Sequence, residues 1–215
     1  GKSPVISGSS TTSVLHFKGT DFFTIDGSKD GSNSRDLLIE NTSTSHWSAA
    51  IQLSSLGISA GSSFLTFKNC IIRGGSPGSI SGYNCAFSAG STIGTGGYDN
   101  DNLTITNNEI SRAYFAFYAS GSGAGVMDSL RMTNNTIGSD LPQNYIGNTA
   151  VYLSTAQVDI TGNEIKGVAS TSVSPTGIYV GSGVKNSLIN RNMLHSIKVN
   201  AGIGMGAVGM IVDLG

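Results

Sequence analysis

Charged side chains are scarce in this chain. Lys and Arg number 12, Asp and Glu number 13, and the formal net charge is −1. Charged residues therefore make up 12% of the sequence, against about 25% in an average globular domain. Because Lys and Arg nowhere form a cluster, the chain lacks the positive surface that a polyanion would need, and we exclude nucleic acid as its main partner.

Cysteines and long apolar runs are also few. The two cysteines, Cys70 and Cys85, are too few for a disulfide framework, and either a single bridge or two buried thiols would fit. The apolar stretch at 201–214 is too short and too rich in glycine to cross a bilayer. We therefore expect no membrane span. Because the last strand-like segment looks cut, we also expect the chain to be a fragment of a longer protein.

Glycine, serine, threonine and asparagine are abundant instead. The chain has 30 glycines in 215 residues, about twice the usual share. Hydrophobic residues, at 38%, still suffice for a core because they are regularly clustered. No segment keeps the 3.6-residue period of an amphipathic helix, which excludes ankyrin-type or leucine-rich repeats. The composition predicts one turn-rich, all-β domain over residues 1–215.

Two short motifs repeat along the chain. The first has the pattern apolar-x-apolar-x-Asn-Asn-x-apolar and is clearest at 103–110 (LTITNNEI). Its central apolar residues recur about every 28 residues, except for one interval about ten residues longer, which predicts an insertion near 90–101. Those central residues are Ile39, Phe67, Ile105, Met132, Ile160 and Ile189.

The second motif lies between copies of the first and has the pattern small-apolar-x-apolar-small. Its copies are 50–54, 86–90, 116–120, 150–154, 177–181 and 202–206. Both motifs alternate with a period of two, which predicts half-buried strands. Because neither strand can bury its apolar face alone, stacking predicts a single-stranded right-handed parallel β-helix, a solenoid of about seven to eight coils of roughly 28 residues. A β-sandwich is the alternative fold.

An asparagine column ends the first motif. Its members are Asn108, Asn135, Asn163 and Asn192, with Cys70 at the same position. Asparagine tolerates left-handed backbone angles and can hydrogen-bond to stacked copies of itself. The column is therefore interpreted as the bend between two strands.

The repeated N-N-x-I coils resemble those of pectate-lyase-like parallel β-helix proteins. In addition, 23–28 (FTIDGS) and 34–42 (SRDLLIENT) resemble a segment common in large secreted bacterial surface proteins. The resemblance covers nearly the whole chain and implies a bacterial extracellular or cell-surface location. It says little about activity, because this superfold carries lyases, glycoside hydrolases, epimerases, adhesins and structural spacers.

Four side chains are candidates for catalysis. Arg131 and Asp159 are predicted to share an outward column on adjacent coils, where an exposed ion pair is the simpler interpretation. Glu109 and Glu164 are predicted two coils apart, about 10 Å, just beyond the roughly 6.5–9.5 Å expected of an inverting carboxylate pair. Neither pair forms a recognised catalytic signature.

Asp26, Asp30 and Asp36 are candidates for a calcium site. Oxygen-bearing side chains alternate before a glycine in this segment, but the glutamate that closes an EF-hand loop is missing. A polar turn between coils explains the segment equally well. Calcium is the one cofactor that the sequence suggests.

Tyr118, Tyr152 and Tyr179 are candidate binding residues. The outward column of the second motif reads Gln52, Ser88, Tyr118, Tyr152, Tyr179 and Gly204. Three successive tyrosines are expected to stack and to offer a rigid contact area to a sugar or a protein. A ladder that stiffens the sheet or packs under a loop is the alternative.

These observations predict a non-enzymatic, secreted or cell-surface module. We expect a structural spacer or adhesin-like domain that contacts a glycan or a neighbouring surface protein through the tyrosines. The alternative is a polysaccharide lyase or glycoside hydrolase of the pectate-lyase-like superfold. Exposed strand edges at the two ends also predict end-to-end self-association.

Overall fold

A computed structural model describes residues 3–77, 84–200 and 206–213. The described residues form strands, one short 3-10 turn (Pro142–Asn144) and connecting loops, with no α-helix. The strands are β1 (Val5–Gly8), β2 (Ser13–Lys18), β3 (Asp21–Asp26), β4 (Leu37–Asn41), β5 (Ser48–Ser54), β6 (Ser63–Lys68), β7 (Cys70–Arg73), β8 (Asn84–Gly90), β9 (Thr104–Thr106), β10 (Glu109–Ser111), β11 (Ala113–Ser120), β12 (Met127–Thr133), β13 (Thr136–Ile137), β14 (Ile146–Ser154), β15 (Ala156–Thr161), β16 (Glu164–Ile165), β17 (Val168–Ser170), β18 (Thr176–Val180), β19 (Leu188–Asn190), β20 (Met193–Leu194), β21 (Ile197–Val199) and β22 (Val208–Val212).

The strands form three sheets whose neighbours run parallel. Sheet A has the order β1-β4-β7-β10-β13-β16-β20, and sheet C has the order β3-β6-β9-β12-β15-β19. Sheet B begins β2-β5-β8-β11-β14, after which β17 and β21 continue one branch and β18 and β22 the other. Successive strands thus visit the three sheets in turn, and each sheet gains about one strand per sequence repeat. A set of consecutive strands that visits the three sheets once is called a rung. The predicted all-β class and parallel pairing are confirmed.

The strand registers confirm the predicted inward columns except for one member. Ile39, predicted in one column with Phe67, pairs instead with Ile72 in sheet A, and Ile25 is the residue beside Phe67. The prediction was wrong because 37–41 alternates like the first strand of the motif but corresponds to the strand that follows the turn. In sheet C, Ile105, Met132, Ile160 and Ile189 are paired in that order, and in sheet B so are Phe117, Val151 and Ile178. All are fully or almost fully buried except Ile189, which packs on the core at its end. Apolar side chains from all three sheets therefore meet in one continuous core.

The predicted asparagine column forms a buried hydrogen-bonded row. The Oδ1 of Asn135 accepts the backbone N–H of Asn108, and Asn163 and Asn192 each repeat this contact with the asparagine before it. The left-handed backbone lies one residue earlier than expected, as at Asn107, where φ is 51°. The turn thus depends on two adjacent positions. The first, such as Asn107, adopts the left-handed backbone, and the second, such as Asn108, forms hydrogen bonds with the neighbouring rungs.

The predicted last copy of the second motif differs from the structure. Its residues 202–206, including Gly204, fall almost wholly outside the described residues. The strand that pairs with β18 is β22, which places Ile211 rather than Gly204 beside Tyr179. The predicted register was wrong because the sequence of 202–206 has the same small-apolar alternation as the other copies, which made it a false match to the motif.

The two cysteines are separate, buried free thiols. Burial raises the pKa of the Cys70 thiol to about 12 and also raises that of Cys85. Of the two possibilities that the sequence left open, the structure therefore contains the buried thiols.

Apolar side chains are exposed on the first and last rungs. Val5 and Phe23 are 56% and 45% exposed at one end, and Met193 and Val212 are 56% and 57% exposed at the other. End-to-end self-association through these edges stays a prediction. Among the described residues, no helix is long and apolar enough to span a membrane.

Candidate functional site

Three tyrosines form a stacked row on the outer face of sheet B. Strands β11, β14 and β18 place Tyr118, Tyr152 and Tyr179 in one register. Their ring centroids are 4.6 and 4.9 Å apart, and the ring planes are within 6° of parallel. Because the ring faces turn towards each other, the row presents ring edges and hydroxyl groups outwards.

Only two of the three tyrosines reach the surface appreciably. Tyr118 is 5% exposed, and its hydroxyl donates to the backbone oxygen of Gly94 at 3.0 Å. Ile93, from the same loop, packs into the cluster around the Tyr118 ring. The loop after β8 therefore covers one end of the row and leaves Tyr152 and Tyr179 as its accessible part.

The far end of the row is held by an acidic side chain. The hydroxyl of Tyr179 donates to Oδ2 of Asp213 at 3.2 Å. Partial burial raises the pKa of the Tyr179 phenol, and the hydrogen bond to the Asp213 carboxylate raises it further. Tyr179 is therefore a neutral, oriented hydroxyl group at physiological pH.

Glu109 and Glu164 lie two rungs apart, as the sequence predicts. Both flank Thr136 of β13, Glu109 from β10 and Glu164 from β16. The guanidinium of Arg35 donates to Oγ1 of Thr136 at 3.1 Å and feels the charge of both carboxylates. Glu109 also pairs with Arg73 at 3.4 Å. Both acids therefore have cationic side chains close by, and Thr136 lies between them in the sheet.

Glu164 is part of a surface charge network. Its Oε1 lies 3.1 Å from Nε2 of His195 and 3.3 Å from Nζ of Lys166. Lys166 in turn contacts Asp140 at 2.8 Å. The hydrogen bond to His195, followed by the contacts with Lys166, lowers the pKa of Glu164. A general acid needs the opposite shift, so the network does not suit Glu164 for that role.

Arg131 and Asp159 are brought together on neighbouring strands of sheet C. Nε of Arg131 is 3.6 Å from Oδ2 of Asp159, and the side chains are 63% and 37% exposed. An ion pair so open to water contributes about 0–1 kcal/mol. The pair lines a shallow groove of about 530 Å³ that also includes Gln157 and Leu188, and Asp159 is the one carboxylate among the described residues that line it.

The loop that contains Asp26, Asp30 and Asp36 is held by hydrogen bonds. Oδ1 of Asp26 accepts from Nδ2 of Asn69 at 2.8 Å, and Oδ2 pairs with Lys68 at 3.0 Å. The hydrogen bond from Asn69 is the largest of several that lower the pKa of Asp26. Asp30 and Asp36 accept from groups within the loop itself. Over the described residues, no three His, Cys, Asp or Glu side chains are placed to hold a metal, so the three carboxylates are not gathered into a ligand set.

An exposed aromatic pair was missed by the sequence analysis. Phe22 of β3 and Phe64 of β6 stack with their ring centroids 4.7 Å apart and their planes 5° from parallel. They are 78% and 50% exposed. The signal was available, because 22–23 (FF) and 64–65 (FL) are apolar doublets, and in a strand of period two one member of each must point outwards.

The aromatic pair borders an acidic cleft of about 560 Å³. Asp21, Asp99 and Asp101 line it, and Leu56 forms an apolar part of its wall. Burial raises the pKa of Asp101, and the charges of Asp128 and Asp99 raise it further. Among the described residues that line the cleft, none is Lys, Arg or His. The cleft combines an exposed ring surface with uncompensated negative charge.

Comparison with known proteins gives no family for this chain. No family model, curated protein or solved structure matches it. The tyrosine row, the charge networks and the acidic cleft are therefore the features that bear on its function.

Proposed function

We propose that this chain is a right-handed parallel β-helix that serves as a secreted or surface-displayed, non-enzymatic spacer with an adhesin-like contact face. The regular visits of successive strands to three parallel sheets support the solenoid, since each visit adds a rung to the same core. The right hand is expected because parallel crossovers adopt it in roughly 98% of cases. The bacterial cell-surface location follows from the resemblance of 23–28 and 34–42.

The observation that carries the contact role is the stacked pair Tyr152 and Tyr179. Tyrosine is enriched in protein interfaces because it combines a large rigid ring with a hydroxyl group. Here the stack and the parallel strands fix both rings before any partner arrives, which lowers the entropy cost of binding. Because the ring faces are turned to each other, this row suits a protein partner better than a sugar that must stack on a face.

The charge networks support a role without catalysis. Glu109 and Glu164 have cations beside them, and the lowered pKa of Glu164 keeps it ionised. Arg131 and Asp159 form an ion pair that is exposed to solvent. Degradation of an acidic or neutral polysaccharide that is abolished by Glu164→Gln would overturn this part of the proposal.

Adhesion of protein-coated beads to intact bacterial cells tests the contact role. We expect binding that protease treatment of the cells removes and periodate treatment leaves unchanged. Tyr152→Ser combined with Tyr179→Ser should abolish it, whereas Tyr145→Ser, a tyrosine outside the row, should not. Binding that is lost after periodate would indicate a glycan partner, and binding that survives in the double variant would refute the role of the row.

A second candidate function, the hydrolase branch of the alternative, is a glycoside hydrolase acting in the acidic cleft. One carboxyl group favours it, because Asp101 has a raised pKa beside Asp99 and Asp128, and a general acid in glycoside hydrolysis needs such a shift. Release of reducing ends from a panel of neutral and amino polysaccharides tests it. Activity that is lost in Asp101→Asn and kept in Asp159→Asn would favour the enzyme over the spacer.

A further inference from the structure

We propose that the cleft beside Phe22 and Phe64 binds a glycan that carries free amino groups, such as an oligomer of glucosamine. The inference is independent of the tyrosine row, which lies on a different sheet. It depends on three features of the described residues: an exposed ring surface, a set of carboxylates without a countercharge, and walls that are fixed by backbone contacts.

The aromatic pair is held in a backbone conformation that is costly for phenylalanine. Phe22 and Phe64 have φ values of 55° and 56°, in the left-handed region that bulky residues rarely adopt. The same column continues with Asn102 and Ser129 at φ 51° and 59°, and asparagine tolerates this region well. Strain of this kind lowers stability, and the exposed rings recover little of it by burial.

One ring offers an open face to a ligand. Phe64 stacks on one face of Phe22, and at 78% exposure the Phe22 ring leaves much of its other surface to solvent. The apolar C–H face of a pyranose ring can pack on such a surface, and a nearby ammonium group is attracted by the π-system. The tyrosine row differs, because its rings are stacked face to face and present their edges outwards.

The carboxylates set the charge of the ligand. One oxygen of each accepts a backbone N–H: Asp21 from Ser63, Asp99 from Ser59 and Asp101 from Asp128. Within the described part of the chain, the second oxygen of each has no hydrogen-bond partner. Since no described cation lines the cleft, uronic acids are repelled, whereas an ammonium group relieves the repulsion at Asp101.

The walls of the cleft are fixed by close backbone packing. A Cβ at Gly61 would overlap the backbone oxygen of Asp99, and one at Gly19 would lie 2.6 Å from a methyl carbon of Leu56. The backbone N–H of Ser59 donates to Asp99 at 2.6 Å. Carboxylates held in this way need little reorganisation on binding.

Calorimetric titration of the whole protein with three oligosaccharides tests the inference. The probes are hexamers of glucosamine, of N-acetylglucosamine and of galacturonic acid, at pH 6 and low salt. We expect the glucosamine hexamer to bind at least about tenfold more tightly than its acetylated counterpart, because two or three favourable charge contacts, each worth up to about fivefold, act together. The galacturonate hexamer should not bind, and added salt should weaken the glucosamine complex.

Variants separate ligand binding from folding. Phe22→Asn and Phe64→Asn remove the rings but suit the left-handed backbone, so each should lower affinity at least about tenfold while the melting temperature holds or rises. Asp99→Asn with Asp101→Asn should abolish the preference for the amino sugar. Trp47→Ala is the control, because Trp47 is 52% exposed and does not line the cleft.

Three results would overturn the inference. Equal affinity for the amino and acetylated hexamers would refute the charge argument, and unchanged affinity in both phenylalanine variants would refute the ring argument. No detectable binding at millimolar glucosamine hexamer would refute the site itself. Because the phenylalanine variants are expected to fold well, the last two results do not depend on the stability of the aspartate variant.

Discussion

Asn135 is the position at which a single substitution should damage this fold most informatively. Its side chain is 1% exposed. Oδ1 accepts the backbone N–H of Asn108 at 2.8 Å, and Nδ2 donates to the backbone oxygen of Ile105 at 2.9 Å. Nδ2 also donates to Oδ1 of Asn163. One side chain thus joins three successive rungs, and Asn135→Ala removes all of these contacts.

The cost of Asn135→Ala follows from the groups that it leaves buried. The N–H of Asn108 loses its acceptor and the oxygen of Ile105 loses a donor. Each buried group left without a partner costs about 1–3 kcal/mol, so the two predict a loss of about 2–6 kcal/mol. The Nδ2 of Asn108 still donates to Phe67 and Thr106, so it adds little to the cost.

Asn192→Ala is the matched control within the same column. Asn192 makes the same two kinds of contact, to the N–H of Asn163 and the oxygen of Ile160. It lies on the last rung of the row and is only partly buried, so water can replace the lost amide. We expect its loss to cost about 1 kcal/mol.

Urea unfolding followed by circular dichroism measures both variants. The midpoint should fall well below that of the parent for Asn135→Ala and only slightly for Asn192→Ala, with unchanged slopes. Equal losses of stability in the two variants would show that the hydrogen-bonded asparagine row adds no stability beyond that of the local turn. A loss under about 1 kcal/mol for Asn135→Ala would refute the buried-group argument.

Three further outcomes are expected. Ile160→Asp places a charge in the core and should lower the free energy of unfolding by several kcal/mol; a melting curve like the parent's would contradict the assigned register. Glu164 has a folded pKa below its usual 4.5. Its contribution to stability is therefore present above pH 4.5 and is lost as the pH falls through the folded pKa. In Glu164→Gln, the free energy of unfolding should fall less steeply with acid in that range. The buried Cys70 and Cys85 thiols should react with a thiol reagent only after unfolding, and rapid reaction of the native protein would contradict their burial.

The repeats predicted the strand registers well because both motifs carry a strict period of two. Residues such as Ile105 and Met132 fall into one column as soon as the repeat length is known. The asparagine column could be predicted for the same reason, since Asn108 and Asn135 occupy equal positions in successive repeats. The register prediction failed at Ile39, which lies in sheet A rather than beside Phe67, and at Gly204, because Ile211 is the residue beside Tyr179.

The candidate site was predicted less completely because it depends on loops. The stacking of Tyr118 on Tyr152 follows from strand register alone. The burial of Tyr118 does not, because it is set by the loop that brings Gly94 to its hydroxyl. The acidic cleft likewise joins Asp21, on a strand, to Asp99, in an irregular connection, and no periodicity relates the two.

The stacked architecture separates the residues that hold the fold from those that can contact a ligand. The inward apolar columns and the asparagine column that contains Asn135 contact both neighbouring rungs. A substitution there therefore removes contacts from more than one rung. Outward side chains such as Tyr179 and Phe22 rest on a backbone that the rungs already fix. The fold can therefore tolerate the strained Phe22 conformation, since the pairing of β3 with β6 holds it in place. Asn135→Ala should therefore reduce stability sharply, while Phe22→Asn should leave it unchanged or improve it. For binding of the glucosamine hexamer we expect the reverse, because Phe22→Asn removes a ring from the cleft and Asn135 lies outside it.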